Sequence, residues 1–403
     1  MTLRTALACA LALSCFTALA SDDTVLRRAT ALAGDAIVVD THIDAPGILG
    51  ETWADLGVAA PDREFDWPRA RQGGLDVAFM SIYTSAREDR EGKALQSAHA
   101  QIDSIEALVH RHPDKFAILT SPADVERLRA NGRVLLPLGM ENGAPLGDDL
   151  SQVKRFFDRG IRYITLAHSA SNRIADSSYG VERPLGGLSP FGREVVAEMN
   201  RLGIMVDVSH VSDAAAAQAI ELSKVPVIAS HSAFRHFTPG FERNISDEIA
   251  RALAERGGVV QVPFGTAFVN AKAASDMQAR FRARAEFDAR NAELAAAGQP
   301  TRDAAAFEAD WDREHPTPST PLSAVLDQID YGVRLLGVDH VGIGSDFDGV
   351  GGELADGLRS VADFPNLVAG LLDRGYAEDD IRKILGANLL RVWREVEAGA
   401  SGR

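Results

Sequence analysis

Short apolar runs recur along the chain, each ending in polar residues and followed by a loop and an amphipathic stretch of helical period. Eight of them predict strands, at residues 37–44, 77–83, 134–141, 163–168, 204–210, 225–232, 259–264 and 340–348. Strands alternating with helices make a parallel sheet. Eight repeats, with no glycine-rich phosphate loop after the first, predict an α/β fold of the (β/α)8 TIM barrel type rather than an open doubly wound sheet. Helix signals stand between the strands: Pro190 opens and Gly203 closes one helix, and Ser212-Asp213 opens another that runs to Leu222. The spacing breaks over residues 266–321. A charged segment at 271–297 reads as a helix with Met277 and Phe281 four apart, followed by the Gly298-Gln-Pro300 turn, a short helix around Trp311 and the loop Pro316-Thr-Pro-Ser-Thr-Pro321. This predicts a helical insertion between the seventh and eighth barrel strands, either a flap near the barrel mouth or a surface ornament.

The polar tails of the strands carry metal-binding chemistry. Side chains alternate faces along a strand, so His42 and Asp44, at i and i+2, point the same way, and both are ligands for a divalent ion such as zinc. Glu141 ends the third strand, His210 the fifth and His231 the sixth. The two histidines are one strand–helix–strand unit apart, hence on neighbouring strands ~4.8 Å apart, close enough to share one ion. Singly, Glu141 reads as a helix cap or ion-pair partner and each histidine as a packing residue. Together, at the end of a barrel where active sites lie, they predict a metal centre. His99, His110, His112, His236, His315 and His340 fall in helices, loops or the far end of a strand and are not expected to be ligands. In the eighth strand the small residues are expected to let the backbone pass close to metal and substrate, and Asp346 to project where a proton must move. Asp348-Gly349 accounts for the turn.

The length of 403 residues allows one large barrel or two ordinary domains, and 46% hydrophobic with 25% charged residues is a globular composition. Residues 1–20 differ. Arg4, an apolar run from Ala6 to Leu13 and Ala18-Leu-Ala20 read as a secretory signal with an A-x-A cleavage site, so residues 21–403 form the expected single domain, exported to the periplasm or secreted. Cys9 and Cys15 fall inside that signal, leaving no mature cysteine for disulfides or thiolate ligands. A lipid anchor at Cys15 fits less well, because Ala12-Leu-Ser14 is a poor lipobox. Removing the signal takes away one base, Arg4, and no acid, so the net charge of −15 becomes −16. Nucleic acid is thereby an unsuitable partner. No later segment approaches the ~18 apolar residues of a transmembrane span.

These residues fall in motifs that resemble the membrane (renal-type) dipeptidase family of metal-dependent amidohydrolases. The motifs are Asp40-Thr-His-Ile-Asp44, Gly139-Met-Glu141, Leu166-Ala-His168, Gly187-Leu-Ser-Pro-Phe-Gly192, Asp207-Val-Ser-His-Val-Ser212, Ser230-His-Ser232, Arg243-Asn244, Gly344-Ser-Asp-Phe-Asp-Gly349 and Gly386-Ala-Asn-Leu-Leu-Arg391. The similarity runs from about Ile37 to Val392. It implies two zinc ions per chain, the first on His42 and Asp44, the second on His210 and His231, with Glu141 bridging and a hydroxide between them as nucleophile. His168 would contact the scissile carbonyl oxygen, Asp346 would handle the proton, and Arg243, with Asn244 beside it, would bind the substrate's terminal carboxylate. Asp40 and Asp207 read as hydrogen-bonding groups behind the ligands. The implied substrate is a dipeptide, with tolerance of a D-residue at the second position, and the resemblance admits a homodimer.

Departures from the family fall around the ligands. Glu141-Asn-Gly-Ala144 replaces a Glu-Gly-Gly run followed by histidine, Pro263-Phe-Gly-Thr-Ala-Phe268 replaces a tyrosine-rich loop, and Gln328 stands where relatives often have histidine. Two other readings use the same residues: an N-acyl amino acid deacylase or lactonase, and a non-catalytic zinc or peptide binder. Asp346 argues against the binder, which needs no proton-transfer group.

Overall fold

The computed structural model describes residues 24–180 and 182–402; the expected signal at residues 1–20, with Cys9 and Cys15, lies outside them. Among the described residues ten parallel strands are present: β1 (Val38–Ile43), β2 (Leu75–Tyr83), β3 (Phe116–Ile118), β4 (Val134–Leu136), β5 (Leu138–Glu141), β6 (Ile161–Thr165), β7 (Met205–Asp207), β8 (Ile228–Ala229), β9 (Val259–Val262) and β10 (Val341–Ile343). Eight of them succeed one another as β1, β2, β5, β6, β7, β8, β9 and β10. The last returns to the first. Asp44 N donates to Phe347 O at 2.8 Å and Asp346 N to His42 O at 3.1 Å, so the chain beyond β10 pairs with the end of β1.

All eight expected strands are found, mostly shorter than anticipated, because their polar tails leave the ladder as loops. The third is split at Pro137, which has no N–H to donate. Its first half, β4, pairs with β2 and with β3, a short edge strand that was not anticipated.

Two layers of apolar side chains follow from the alternation of faces. Val39, Val77, Phe79, Tyr163, Met205, Ile228 and Val259 form one cluster with Leu389, Leu390 and Trp393 of the helix Asn388–Ala398. Val38, Ala78, Met80, Ile164, Val206 and Val260 belong to the larger core shared with the other helices. The Trp393 ring lies tilted 5.3 Å from Phe79, and Phe79 5.5 Å from Tyr163, so a column of rings runs from this helix into the barrel. Burying large aromatic rings in this way is among the strongest contributions a core can have.

The insertion lies between β9 and β10 and contains the helices Thr266–Val269, Ala271–Ala296 and Ala304–Glu314. The two longer ones pack through Phe287 on Phe307, with ring centroids 4.7 Å apart, and through Arg280 and Arg284 on Glu308. Asn270 caps the longest by accepting from Lys272 N and Ala273 N. Among the described residues no helix is long and apolar enough to cross a membrane.

Candidate metal centre

The strand tails converge on Glu141. Its Oε2 lies 3.4 Å from His42 Nε2, and its Oε1 lies 3.0 Å from His210 Nε2, 3.3 Å from His231 Nε2 and 3.5 Å from His168 Nε2. Asp44 Oδ2 is 3.3 Å from His42 Nε2. Ligand atoms around one tetrahedral zinc, each ~2.0–2.1 Å from it, are themselves roughly 3.4 Å apart. The separations from Glu141 and Asp44 fit that spacing, while His210 Nε2 and His231 Nε2 stand closer together, at 2.7 Å. His42 Nε2 is buried without a hydrogen-bond partner among the described residues, which is the condition of a nitrogen aimed at a cation.

Local structure explains why these side chains are free to meet. Asp44 occupies the N-cap of the helix Ala45–Glu51, yet its carboxylate makes no capping bond and turns to His42 instead. Behind these side chains, His42 Nδ1 lies 2.8 Å from the Tyr163 hydroxyl, and His231 Nδ1 lies 2.8 Å from Ser230 Oγ, which donates to Asp207 Oδ2 at 2.6 Å. Such contacts fix which ring nitrogen faces a metal. Asp207 also accepts from Thr165 Oγ1, Ser209 N and Ser230 N, and Asp40 accepts from His42 N and Ser345 N. Both aspartates therefore work as buried hydrogen-bonding groups.

Asn142, His210, Asp346 and Asp348 have φ between 62° and 72°, and they are the only non-glycine residues with positive φ among those described. All four stand at strand tails around the centre. This conformation costs an L-residue on the order of 1 kcal/mol. The strain is concentrated where side chains must be re-aimed.

Burial opposes charge throughout. It would raise Glu141, but His42, His168, His210 and His231 outweigh it and hold the carboxylate well below its usual range. His210 and His231 are held well below the usual imidazole value by burial first and then by Arg243 and neighbouring imidazoles, so both are neutral, the form that ligates. Burial also lowers His168. His42 goes the other way: burial opposes its charge, but Tyr163, Glu141 and Asp44 together raise it well above the usual value. Asp346 is raised by burial and by Asp44. A bound dication would reverse both tendencies by favouring the deprotonated forms.

Asp346 groups with His42 and His231 within ligand reach of one another, and His168 with Glu141 and His210. The glycine that lets the backbone approach these carboxylates is Gly349, where a Cβ would strike Asp44 and Asp346. Gly342 and Gly344, expected to approach the metal and substrate, instead make room for Gln261, the Ser230 carbonyl and Thr41.

Arg243 is buried, donating from Nη1 to Ser232 Oγ at 2.9 Å and from Nη2 to His231 O at 2.8 Å and His210 Nε2 at 2.9 Å. A ring nitrogen has one lone pair, so metal ligation by His210 Nε2 would release that last donor. Asn244, expected beside Arg243 as a substrate contact, keeps its Oδ1 without a hydrogen-bond partner among the described residues, while its Nδ2 is already engaged. It is fully buried, and its Nδ2 donates to Thr238 Oγ1 and Phe268 O, both at 2.7 Å, tying its loop to the start of the insertion. The histidines set aside as non-ligands are placed elsewhere: His112 pairs with Asp55, His99 with Arg159, and His340 with Gly258 O.

Tyr163 and Tyr179 were missed by sequence reasoning. Tyr163 reads as core, although Gly139 hints at it, since a Cβ there would run into the Tyr163 ring. Tyr179, whose ring lies 5.7 Å from that of His210, sits in an irregular loop with no periodic signal.

A parallel barrel with imidazoles and carboxylates gathered at the tails of its strands is the architecture of a metal-dependent hydrolase. The family described as membrane dipeptidase (peptidase family M19) matches residues 26–402, and the chain belongs to it. It is similar to dipeptidase ataJ of Aspergillus terreus, 33% identical over 405 residues, covering 92% of this chain and 87% of the relative. Dipeptidase aclJ of Aspergillus oryzae is 32% identical over 341 residues, covering 83% and 70%. Among solved structures, the probable dipeptidase PvdM from Pseudomonas aeruginosa superposes with a TM-score of 0.80 at 29% identity, covering 94% of this chain and 100% of that one. The chain is a metal-dependent dipeptidase acting on a small peptide substrate.

Proposed function

We propose that the protein is a binuclear zinc enzyme hydrolysing dipeptides with a free C-terminal carboxylate, including those with a D-residue at the second position, and that residues 1–20 direct its export to the periplasm or beyond. The observation that carries the binuclear reading is the division of Glu141, one oxygen facing His42 and the other facing His210 and His231. His42 and Asp44 would hold one ion, His210 and His231 the other, with Glu141 between them. When bound, two zinc ions supply a water-derived nucleophile at neutral pH, because zinc lowers the pKa of its water to ~7.

The chain's own residues do the rest. Asp346 takes the nucleophile's proton and delivers it to the leaving amine nitrogen. His168 stabilises the oxyanion that develops on the carbonyl oxygen. Arg243 holds the terminal carboxylate through paired charge-assisted hydrogen bonds, and a longer peptide, which puts an amide there, is rejected.

The test is metal content measured alongside a dipeptide panel containing both stereoisomers at the second position. About two zinc ions per chain are expected, with hydrolysis abolished by chelation and restored by zinc. Full activity in protein shown to be metal-free would end this reading.

A further inference from the structure

Phe281 has no part in either apolar core of the insertion. Its neighbour one turn earlier, Met277, packs against the barrel core, and Phe287 and Phe307 join the two insertion helices to each other, with Trp311 beside Phe307. The Phe281 ring instead lies 4.3 Å from that of Tyr179, and both residues are partly exposed. Tyr179 in turn lies 5.7 Å from His210, 6.4 Å from His168 and 6.5 Å from Phe241, measured between ring centroids. One aromatic ring therefore separates Phe281 from two residues of the metal centre.

The insertion is also pinned to the loop that carries Arg243. Gln278 Nε2 donates to Gly240 O at 2.8 Å, three residues before Phe281 on the same helix, and Asn244 Nδ2 donates to Phe268 O. Arg280 and Arg284, which flank Phe281, are held away by Glu308. The large apolar side chain of this turn is thus held beside Tyr179, while Arg280 and Arg284 turn to the second helix.

We infer that Phe281, together with Tyr179, is a specificity-determining residue: the two rings form an apolar wall that receives a side chain of the substrate, so the insertion selects dipeptides with bulky apolar residues. This rests on the dipeptidase reading. The two Cα atoms of a dipeptide are ~3.8 Å apart, so a substrate held at the metal centre brings a side chain within reach of a wall one ring away. Such walls discriminate by burial, roughly tenfold or more for a few methylenes.

The experiment compares kcat/KM for leucyl- and phenylalanyl-containing dipeptides with that for alanyl- and glycyl-containing ones, in the parent, Phe281→Ala and Phe281→Leu. Zinc content and circular dichroism confirm that each variant is loaded and folded. Phe281→Ala should lower kcat/KM for the bulky substrates about tenfold while leaving the small ones within about twofold, and Phe281→Leu should keep most of the preference. Equal scaling across the panel, or no change, overturns the inference and makes Phe281 a packing residue. If the parent hydrolyses no dipeptide, the dipeptidase reading fails instead, and the same comparison is read on N-acyl amino acids with small and bulky side chains. A variant that loses selectivity there supports the wall, and one that does not removes it.

Discussion

His42 Nδ1 lies 2.8 Å from the hydroxyl of Tyr163, a fully buried ring standing on Phe79 inside the barrel. The contact holds the imidazole so that Nε2, the nitrogen with no hydrogen-bond partner, faces Asp44 and Glu141. Tyr163→Phe keeps the ring and removes only the hydroxyl. Zinc affinity, read by competition with a chromophoric chelator, should fall roughly 10–100-fold with the fold intact. Unchanged affinity would show that Tyr163 is core packing and nothing more.

Asp346 lies within ligand reach of His42 and His231, so a proton-transfer role and a ligand role must be separated. Asp346→Asn should retain its zinc while kcat drops roughly 10²–10⁴-fold, the range for losing a general acid–base group. Metal analysis of the variant decides: loss of an ion makes Asp346 a ligand, and normal turnover makes it a turn residue.

Arg243 points its guanidinium at the same centre. Arg243→Ala should weaken kcat/KM for free dipeptides roughly 10²-fold, or ~3 kcal/mol, and affect C-terminally amidated dipeptides far less. Equal losses on both substrates, at unchanged zinc content, would place the carboxylate clamp elsewhere.

Glu64 and Asp348 face each other across the mouth. Glu64 N donates to Asp348 Oδ1 at 2.8 Å, and Asp348 N donates to Glu64 Oε2. Burial, with the charges of Asp348 and Asp44, pushes Glu64 up to about 7, and burial with Asp44 pushes Asp348 to about 6. Both folded values lie above the unfolded ones. The folded state thus binds more protons, and stability falls as pH rises from about 4.5 through about 7. The Glu64 shift corresponds to roughly 3 kcal/mol at most, less after partial solvent screening. Glu64→Gln should therefore raise the unfolding midpoint at pH 8 by ~2–4 °C and change it little at pH 5. Chelated protein is the right sample, since a dication would add its own field. An equal shift at both pH values would show that the carboxylate's charge is not the cause.

The barrel was legible because its strands are short apolar runs at near-regular spacing, and the insertion because that spacing fails. Pro137 was visible but its effect was not: whether a proline splits a strand depends on which neighbours take up the freed ladder positions, and here β3 does so. The convergence of His42, Asp44, Glu141, His210 and His231 was readable because imidazoles and carboxylates at strand tails have few other uses in that combination. Asn244 is less legible for the opposite reason, since an amide serves a substrate and a backbone carbonyl equally well, and its Nδ2 is engaged by Thr238 Oγ1 and Phe268 O. Tyr163 and Phe281 lay beyond reach because an aromatic residue looks the same in sequence whether it fills a core, supports a ligand or lines a mouth.

The seam where β1 meets the chain after β10 also sets a timetable. Asp40 and Ser345, joined there by a 2.9 Å hydrogen bond, are 305 residues apart in the chain. Contacts so distant in sequence form late, after a long loop has been closed. While the chain is being synthesised, His42 and Asp44 emerge early and must wait for nearly everything else before Asp346 can join them. Closing the seam is therefore one of the last events in the folding of this protein, and a chain that stops short of β10 lacks the backbone bonds from Phe347 and Asp346 that hold the end of β1 in place.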